Sequence, residues 1–496
     1  MKITLQKEKQ NNNAYHWIIL FILIVSVIIR LKNIDKPLLD MHYFRQTQTA
    51  TMVRNFHRGG INLFDTKLDI LGTGKEQSLL LEFPFYQAIT ALISFIFQFS
   101  DSLGKIVSIF FGILSGLMLY MVIKIFTGNR LWSLISMVFF SFSPLNIFFQ
   151  QAFIIESTVV FLHLASLCAW LIFLKRKNFL WLALVILTST LAYLQKIVYV
   201  PVLFPLILTI VIAKAWKNKM IRNKAIIGLV IPIIFLILWQ KHVDYSNSLH
   251  GNYFFTSTNA GQWNWNFSTL SDRINFRSWG FRTKLILDSV TKFQFFFFLT
   301  GVILLLQNSK RYYLFLVWIL SCFLYTLIFF GVISQNYYLM PLLPMIASIS
   351  GFGLYRIYLY FIRTINIKII NSFFLALLIT YCVISIRNVE PFFSLDKDLY
   401  NNLISAKSVM NEKGNAIILL SQWDWNSVYT YYLDTKGITI GLNDLSKMDK
   451  YVKEGYKYLV MIDPDRISGD NIIKAYIKKS TNIYKTQRLA VYKLNT

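Results

Sequence analysis

The stretch that decides the fold runs from residue 152 to residue 174 and reads AFIIESTVVFLHLASLCAWLIFL. It holds a single carboxylate, Glu156, and no lysine or arginine. A helix rises about 1.5 Å per residue, so a stretch of this length crosses the roughly 30 Å hydrocarbon core of a bilayer. The sequence therefore predicts a transmembrane helix here.

Similar apolar stretches recur along most of the chain. Together with the first they make eleven predicted crossings, at 16–31, 103–123, 131–149, 152–174, 179–194, 197–213, 225–241, 291–307, 312–333, 338–361 and 369–387. A shorter apolar segment at 83–99 is expected to dip into the membrane or to lie at its surface. The predicted fold is a polytopic α-helical membrane protein with about 11–13 transmembrane helices.

Composition excludes several other classes of protein. The chain is 55% hydrophobic and only 15% charged, whereas a soluble protein has roughly 25% charged residues. The three cysteines lie in predicted spans without CxxC or zinc spacing, which favours packing over a metal or redox role. Neither a Walker loop nor a GxGxxG or GxSxG motif is present, so ATP, a dinucleotide and a serine nucleophile elbow are not supported.

Charge gives the expected orientation. Five short loops carry fifteen lysines and arginines and no acidic residue; they are 124–130, 175–178, 214–224, 307–311 and 356–368. The positive-inside rule makes these loops cytoplasmic, together with the N-terminal tail that holds Lys2, Lys7 and Lys9. The net charge of +26 thus follows from membrane orientation, and no nucleic-acid partner is expected.

The acidic residues before residue 388 fall on the opposite side. Apart from Glu8 in the tail, they are Asp35, Asp40, Asp65, Asp69, Glu76, Glu82, Asp101, Glu156, Asp244, Asp272 and Asp288. Simple avoidance of the inner leaflet is one explanation of this placement. It does not explain Glu82 and Glu156, which lie at the edges of apolar segments, where ionisable groups are costly and more often functional.

The chain divides into two predicted domains. Residues 1–387 form the membrane domain, with outer loops at 32–82 and 242–290. Residues 388–496 are predicted to be a small extracytoplasmic α/β domain that follows a hinge at 388–395. Its predicted strands are 416–420, 437–441, 457–462 and 488–494, and its predicted helices are 425–434, 443–453 and 469–479.

Charged side chains near the outer face are the candidates for chemistry. Asp40, His42 and Arg45 lie within six residues at the expected start of an interfacial helix, where His42 and Arg45 would share a face. A carboxylate at an apolar boundary is suited to act as a general base. Lys196 lies between two predicted spans, where it either snorkels to the headgroups or pairs with a lipid-linked phosphate.

Five segments in this order resemble the GT-C glycosyltransferases, which take sugars from polyprenyl-phosphate carriers. They are the Asp40 segment, Glu82-Phe83-Pro84-Phe85-Tyr86, Ser143-Pro144 followed by Gln151 to Glu156, Leu194-Gln195-Lys196, and Asn336 to Pro344 with Tyr337. The protein O-mannosyltransferase and lipid A aminoarabinose transferase branch is the most similar. The chain departs from the family pattern at Met41, Glu82, Gln150-Gln151 and Glu156.

The resemblance implies an inverting enzyme at the outer face of a cell inner or plasma membrane. Its partners would be a polyprenyl-phosphate sugar donor, a lipid, glycan or protein acceptor, and membrane lipids. Asp40 would act as the catalytic base and Glu156 as the second catalytic carboxylate. His42, Arg45, Glu82, Lys196, Arg277 and Tyr337 would bind the substrates. The transfer itself does not require a metal, so neither a cofactor nor a metal is expected.

Two other functions remain open at this point. A flippase or transporter for a lipid-linked saccharide would explain the crossings and the aromatic outer loops, but it predicts polar groups at the bilayer midplane and often an inverted repeat. The sequence shows neither feature. A polysaccharide polymerase would also be a membrane enzyme, with a different loop pattern.

Overall fold

The computed structural model describes residues 2–71, 78–410 and 414–495, with side chains from residue 15 onward. Glu76 lies outside the described residues, as do the side chains of Lys2, Lys7, Glu8 and Lys9.

The helices, numbered in chain order, are α1 (Lys2–Leu31), α2 (Tyr43–Gly59), α3 (Phe85–Phe97), α4 (Asp101–Thr127), α5 (Arg130–Ser141), α6 (Pro144–Phe149), α7 (Glu156–Arg176), α8 (Phe179–Gln195), α9 (Val200–Ala215), α10 (Lys219–Leu249), α11 (Ala260–Phe267), α12 (Leu270–Ile274), α13 (Phe276–Ser289), α14 (Lys292–Gln307), α15 (Ser309–Ile328), α16 (Leu343–Phe361), α17 (Ile367–Val389), α18 (Lys397–Val409), α19 (Val428–Leu433), α20 (Met448–Lys453) and α21 (Asn471–Lys479). The predicted polytopic α-helical fold is confirmed.

The apolar helices differ in length. Among the described residues, seven are long and apolar enough to cross a membrane, or eight if α13 and α14, which meet at 106°, form one broken span. Four more apolar helices have 10–17 residues, and α3 is one of them. The 13 residues of α3 extend only about 20 Å, so this helix is too short to cross a bilayer by itself. Eleven crossings are reached only if some of the short helices also cross.

Proline changes the helical geometry within two of the predicted crossings. The predicted crossing at 131–149 is not one continuous helix, because Ser143 is extended and Pro144 starts the separate helix α6. Proline disfavours helical geometry in the residue before it, which explains the break. The predicted crossing at 338–361 likewise begins as a 3₁₀ turn, Asn336–Leu342, that contains Pro341 and holds Tyr337 beside the membrane helix.

Glycine allows α16 to approach α14 closely. A Cβ atom on Gly301 would lie 2.2 Å from the carbonyl oxygen of Ile349, and one on Gly353 would lie 2.2 Å from the carbonyl oxygen of Phe297. Small residues let helix backbones approach in membranes, where apolar surface alone does not drive association. The buried position of α16 therefore depends on these two glycines.

We expect Gly353→Ala to destabilise the purified protein by about 1–3 kcal/mol, because the added methyl group would displace backbone rather than a movable side chain. Gly280→Ala in α13 is the matched control, because nothing lies within 4 Å of its Cβ position. Thermal unfolding in detergent measures both changes. Equal melting temperatures for the two variants would contradict the close approach.

The C-terminal residues form a five-stranded sheet. Its strands are β1 (Ala416–Leu420), β2 (Gly437–Gly441), β3 (Tyr458–Ile462), β4 (Ser480–Lys485) and β5 (Leu489–Leu494), in the order β2-β1-β3-β5-β4. The first three are parallel and β5 runs antiparallel to β3 and β4. The small α/β unit and its four predicted strands are therefore confirmed, and β4 and α18 were not predicted.

The chain packs as two compact units. One unit comprises residues 1–34, 105–242 and 257–391, which include most of the membrane helices. The other comprises residues 35–104, 243–256 and 392–496, so parts of both predicted outer loops pack with the C-terminal sheet. Within this second unit residues 69–71 pair with the edge strand β2, where the Leu71 amide donates to the Gly437 carbonyl at 2.7 Å.

Candidate functional site

Asp40 lies in the second unit, in the turn before α2. The residue is 6% exposed, and its carboxylate accepts a hydrogen bond of 2.5 Å from the side-chain amide nitrogen of Gln46. The same Gln46 nitrogen also donates to the Met41 carbonyl at 3.0 Å. One buried amide thus fixes both the Asp40 carboxylate and the backbone beside it. Gln46 was not among the predicted site residues, although it lies in the same segment.

His42 does not lie on the helix. It precedes α2 as the N-cap residue, with left-handed backbone angles (φ 58°, ψ 35°), and its side chain makes no capping hydrogen bond. The expectation that His42 and Arg45 share a helix face is therefore wrong, because the left-handed turn redirects His42 before the helix begins. Its ring centroid lies 6.0 Å from that of Phe44.

Arg45 and Glu82 form an ion pair in this unit. Their side chains are only 12% and 18% exposed, and Arg45 also donates to Gln48 at 2.8 Å. The Glu82 segment is itself held in place, because the amide group of Asn247 bonds both the amide and the carbonyl of Leu80, at 3.0 and 2.7 Å. Two of the predicted binding residues are thus brought together by elements far apart in sequence.

A partly buried network of charges fixes the far end of α2. Arg54 pairs with Asp69 at 2.6 Å and with Asp434 at 3.2 Å, and Arg58 donates to both oxygens of Asp434 at 2.8 and 2.9 Å. Burial alone would raise the pKa of the Asp434 carboxyl. The hydrogen bond from Arg58 and the charges of Arg54 and Lys407 outweigh burial and lower that pKa to about 2.

We expect Asp434→Asn to destabilise the protein by about 1 kcal/mol at pH 7, after allowing for solvent screening of a partly exposed pair. Because the folded pKa is depressed, the contribution of the carboxylate is present above its ordinary pKa of about 4 and is lost as the pH falls toward 2. Unfolding of the full chain at pH 7 and pH 3 tests this. Asp444→Asn, which breaks the exposed pair with Lys447, is the control. The same loss of unfolding free energy at pH 7 and pH 3 would contradict a depressed pKa for the Asp434 carboxyl.

The C-terminal residues of this unit contact the Asp40 turn directly. The Met41 amide donates to the Phe392 carbonyl at 3.1 Å, and the Leu38 amide donates to the Tyr432 hydroxyl at 2.6 Å. The Ser427 hydroxyl donates to the Phe44 carbonyl at 3.0 Å. Residues on both sides of Asp40 are therefore held by the C-terminal sheet and its adjoining segments.

Lys196 and Glu156 form an ion pair inside the first unit. Glu156 is the first residue of α7, and Lys196 follows the last residue of α8; their side chains are 0% and 3% exposed, respectively. The Lys196 ammonium also lies 4.9, 4.8 and 4.5 Å from the ring centroids of Tyr199, Tyr337 and Tyr338. Lys196 therefore does not snorkel to the headgroups, because it is enclosed by aromatic rings and a carboxylate.

Several polar atoms beside this pair have no partner among the described residues. They are Oε2 of Glu156, Oγ1 of Thr158 and both amide atoms of Gln195, and all three side chains are fully buried. Buried polar atoms in folded proteins are almost always hydrogen-bonded, and each exception calls for an explanation, such as a bound ion or water. These atoms belong to residues within two positions of Glu156 or Lys196 in sequence, and they have hydrogen-bonding capacity for a ligand.

The last two predicted binding residues are Tyr337, which is buried, and Arg277, which is exposed. Tyr337 is 4% exposed, and its carbonyl accepts a 2.8 Å hydrogen bond from the Tyr199 hydroxyl, so it belongs to the aromatic enclosure of Lys196. Arg277 is exposed in the first turn of α13. Across residues 2–71, 78–410 and 414–495, no carboxylate pairs with the Arg277 guanidinium.

Arg30 is a functional candidate that the sequence interpretation missed. It is fully buried near the end of α1 and donates to the Ser141 carbonyl at 2.6 Å and to the side-chain oxygen of Gln150 at 2.7 Å. The lone arginine within the apolar stretch 16–31 was the available signal.

The described part of the chain contains no group of three or more histidine, cysteine, aspartate or glutamate side chains that converge on one point. The expected absence of a metal and of a cofactor stays a prediction.

The long apolar helices define an integral membrane protein. Its first unit encloses the Lys196–Glu156 ion pair, and its second unit holds the buried Asp40 turn. Residues 82–239 match the protein family described as dolichyl-phosphate-mannose-protein mannosyltransferase. No curated protein matches the sequence.

Solved structures show a similar fold over nearly the whole chain. ArnT from Cupriavidus metallidurans bound to undecaprenyl phosphate has a TM-score of 0.63 and 13% identity, with 97% of this chain and 98% of that chain covered. The oligosaccharyltransferase AglB from Archaeoglobus fulgidus, in complex with an inhibitory peptide and a dolichol-phosphate, has a TM-score of 0.59 and 12% identity over 96% of this chain and 74% of that one. The GT-C fold is therefore confirmed, and the family match confirms the predicted class of enzyme, a glycosyltransferase.

Proposed function

We propose that this chain transfers a sugar from a polyprenyl-phosphate-linked donor to a lipid, glycan or protein acceptor at the outer face of the membrane. The observation that carries the proposal is the buried Asp40 carboxylate, fixed by Gln46 in the first loop of a GT-C glycosyltransferase. The donor class is supported by the undecaprenyl phosphate and dolichol-phosphate bound to the two similar structures.

The proposed orientation has the N-terminus in the cytoplasm and the C-terminal residues outside. The distribution of acids supports it, because seven acids of the segments 35–104 and 243–256 lie in the same compact unit as the C-terminal sheet; they are Asp35, Asp40, Asp65, Asp69, Glu82, Asp101 and Asp244. We place the five basic loops in the cytoplasm, since short loops rich in lysine and arginine stay on that side of a membrane.

Asp40 acts as the general base in this proposal. Its carboxylate removes the proton of the acceptor hydroxyl while the acceptor oxygen bonds to the anomeric carbon. The bond from that carbon to the phosphate oxygen breaks, and polyprenyl phosphate leaves with the bonding electrons. A single displacement of this kind inverts the anomeric configuration. Gln46 orients the carboxylate, and a positioned base contributes about 10²–10⁴-fold to a rate.

The leaving phosphate needs cations, and the candidate cations of this chain differ in whether a carboxylate already pairs with them. Lys196 and Arg45 already face the carboxylates Glu156 and Glu82, whereas Arg277 is exposed. We assign Lys196 and Arg277 to the phosphate, since fixed cations stabilise the charge that develops as it departs. Glu156 then orients Lys196, Glu82 orients Arg45, and both carboxylates accept hydrogen bonds from sugar hydroxyls, with Tyr337 keeping water from Lys196.

A reconstituted assay separates this function from a flippase. Proteoliposomes of the purified chain receive a polyprenyl-phosphate donor labelled in the sugar, together with a membrane extract as the acceptor source. We expect label in a product from which the polyprenyl chain is absent, and an equal amount of unlabelled polyprenyl phosphate. Movement of the intact labelled donor between leaflets, with no transfer product, would establish the flippase instead.

A further inference from the structure

A cavity of about 250 Å³ lies at one end of the helical unit, away from the Lys196 cluster. The end of α4, the start of α5, the start of α15 and one residue of α16 form its walls. Its polar lining consists of Thr127, Asn129, Arg311, Tyr312 and Tyr355. None of these residues takes part in the proposed glycosyl transfer, so the cavity is unexplained by that function.

The walls of this cavity are held in place without a ligand. The Trp132 indole nitrogen donates to the Ser348 carbonyl at 2.8 Å, and its ring centroid lies 4.9 Å from that of Phe315. The Asn129 amide nitrogen donates to the Tyr355 hydroxyl at 2.6 Å. Another part of the lining comes from α15, which departs from helical geometry at Tyr312 (φ −116°, ψ 21°), next to Arg311. The cavity is therefore preformed.

Positive charge surrounds its mouth. Arg311 lines the cavity and is exposed, and no carboxylate among the described residues forms an ion pair with it. Arg130 follows the lining residue Asn129, and the Arg356 guanidinium lies 5.7 Å from the ring centroid of Phe352. The loops 124–130, 307–311 and 356–368 contain no aspartate or glutamate. Within these three loops an anion would meet cations and no carboxylate.

We propose that this cavity binds the phosphate headgroup of an anionic phospholipid from the cytoplasmic leaflet. Arg311 forms the charge-assisted hydrogen bonds to the phosphate, because its planar guanidinium matches two phosphate oxygens. Thr127, Asn129 and Tyr312 offer hydrogen bonds to the headgroup alcohol. At ~30 Å³ for each water-sized group, the cavity has room for about eight such groups, close to the size of phosphoglycerol. Basic pockets between membrane helices on the cytoplasmic side bind lipid headgroups of this kind.

Native mass spectrometry of the purified full chain tests the assignment, with phosphatidylglycerol and phosphatidylcholine of identical acyl chains as probes. We expect preferential retention of phosphatidylglycerol and about fivefold weaker retention by Arg311→Gln, the equivalent of about 1 kcal/mol for one cation near the surface. Arg222→Gln is the matched control, because it removes a cation from another basic loop, 5.7 Å from the Trp216 ring. It should retain the lipid as the wild type does.

A second variant acts by volume rather than charge. Thr127→Trp fills the cavity and should abolish the preference for phosphatidylglycerol while Arg311 is intact, which keeps the test decisive if Arg311→Gln fails to fold. Equal retention of the two lipids by the wild type, or no effect of either cavity variant, would overturn the proposal. Displacement of the lipid by sn-glycerol 3-phosphate at equal concentration would also overturn it, and would identify a soluble phosphate compound as the ligand.

Discussion

Asp40→Asn is expected to reduce sugar transfer by about 10²–10⁴-fold while the protein keeps its fold. Asparagine preserves the oxygen that accepts the hydrogen bond from Gln46, so the turn before α2 stays in place. It loses the ability to remove a proton, since an amide is not a base near neutral pH. The measurement is the initial rate of label transfer from a polyprenyl-phosphate donor, with thermal unfolding recorded on the same samples.

Asp35→Asn is the matched control for this substitution. Asp35 lies five residues earlier in the same loop, is exposed, and accepts only a 3.2 Å hydrogen bond from Ser102 among its described side-chain contacts. We expect its transfer rate to stay within a factor of two of the wild type. Normal transfer by Asp40→Asn would show that another group removes the acceptor proton.

Separating Lys196 from Glu156 is expected to destabilise the protein by about 3–5 kcal/mol, because each single substitution leaves an uncompensated charge in a dry interior. Lys196→Met leaves the buried Glu156 carboxylate without its cation, and the Oε2 atom of that carboxylate already lacks a hydrogen bond among the described residues. Glu156→Gln leaves the Lys196 ammonium without a carboxylate, among three tyrosine rings. The double variant removes both charges, so its melting temperature should return most of the way to that of the wild type.

The exposed pair Lys447–Asp444 supplies the control cycle, and its coupling should be at most about 1 kcal/mol. Binding distinguishes the functional role of Lys196 from a structural one. Polyprenyl phosphate should raise the melting temperature of the wild type and of Glu156→Gln, since a ligand stabilises the state that binds it. It should not raise that of Lys196→Met. Additive losses in the Lys196–Glu156 cycle would contradict a buried ion pair.

The fold was largely predictable because apolar length and strand patterns are local properties of sequence. Strand β1 occupies the predicted residues 416–420, since a run of five buried apolar residues needs no distant information. Strand β4 was missed because it lies at the sheet edge, where polar and half-buried residues hide the alternation. The break between α5 and α6 depends on Pro144, which lies inside an apolar run long enough to suggest one helix.

Candidate residues for the site could be proposed from sequence, but their pairings could not. Lys196 and Glu156 are forty residues apart, and only the packing of α7 against α8 brings them into contact. The same holds for Arg45 and Glu82. Gln46 and Arg30 were missed because a glutamine and a lone arginine carry no pattern until their acceptors are known. His42 was misplaced because a left-handed residue before a helix leaves no trace in helical periodicity.

The central claim is that Asp40 supports transfer of a sugar with release of its polyprenyl-phosphate carrier. The most direct measurement is the amount of free polyprenyl phosphate formed per sugar transferred, for purified wild type and Asp40→Asn with the same donor and acceptor extract. We predict a ratio of about one for the wild type and carrier release slowed by about 10²–10⁴-fold for Asp40→Asn. Sugar transfer without release of the carrier, or equal release by both proteins, would contradict the claim.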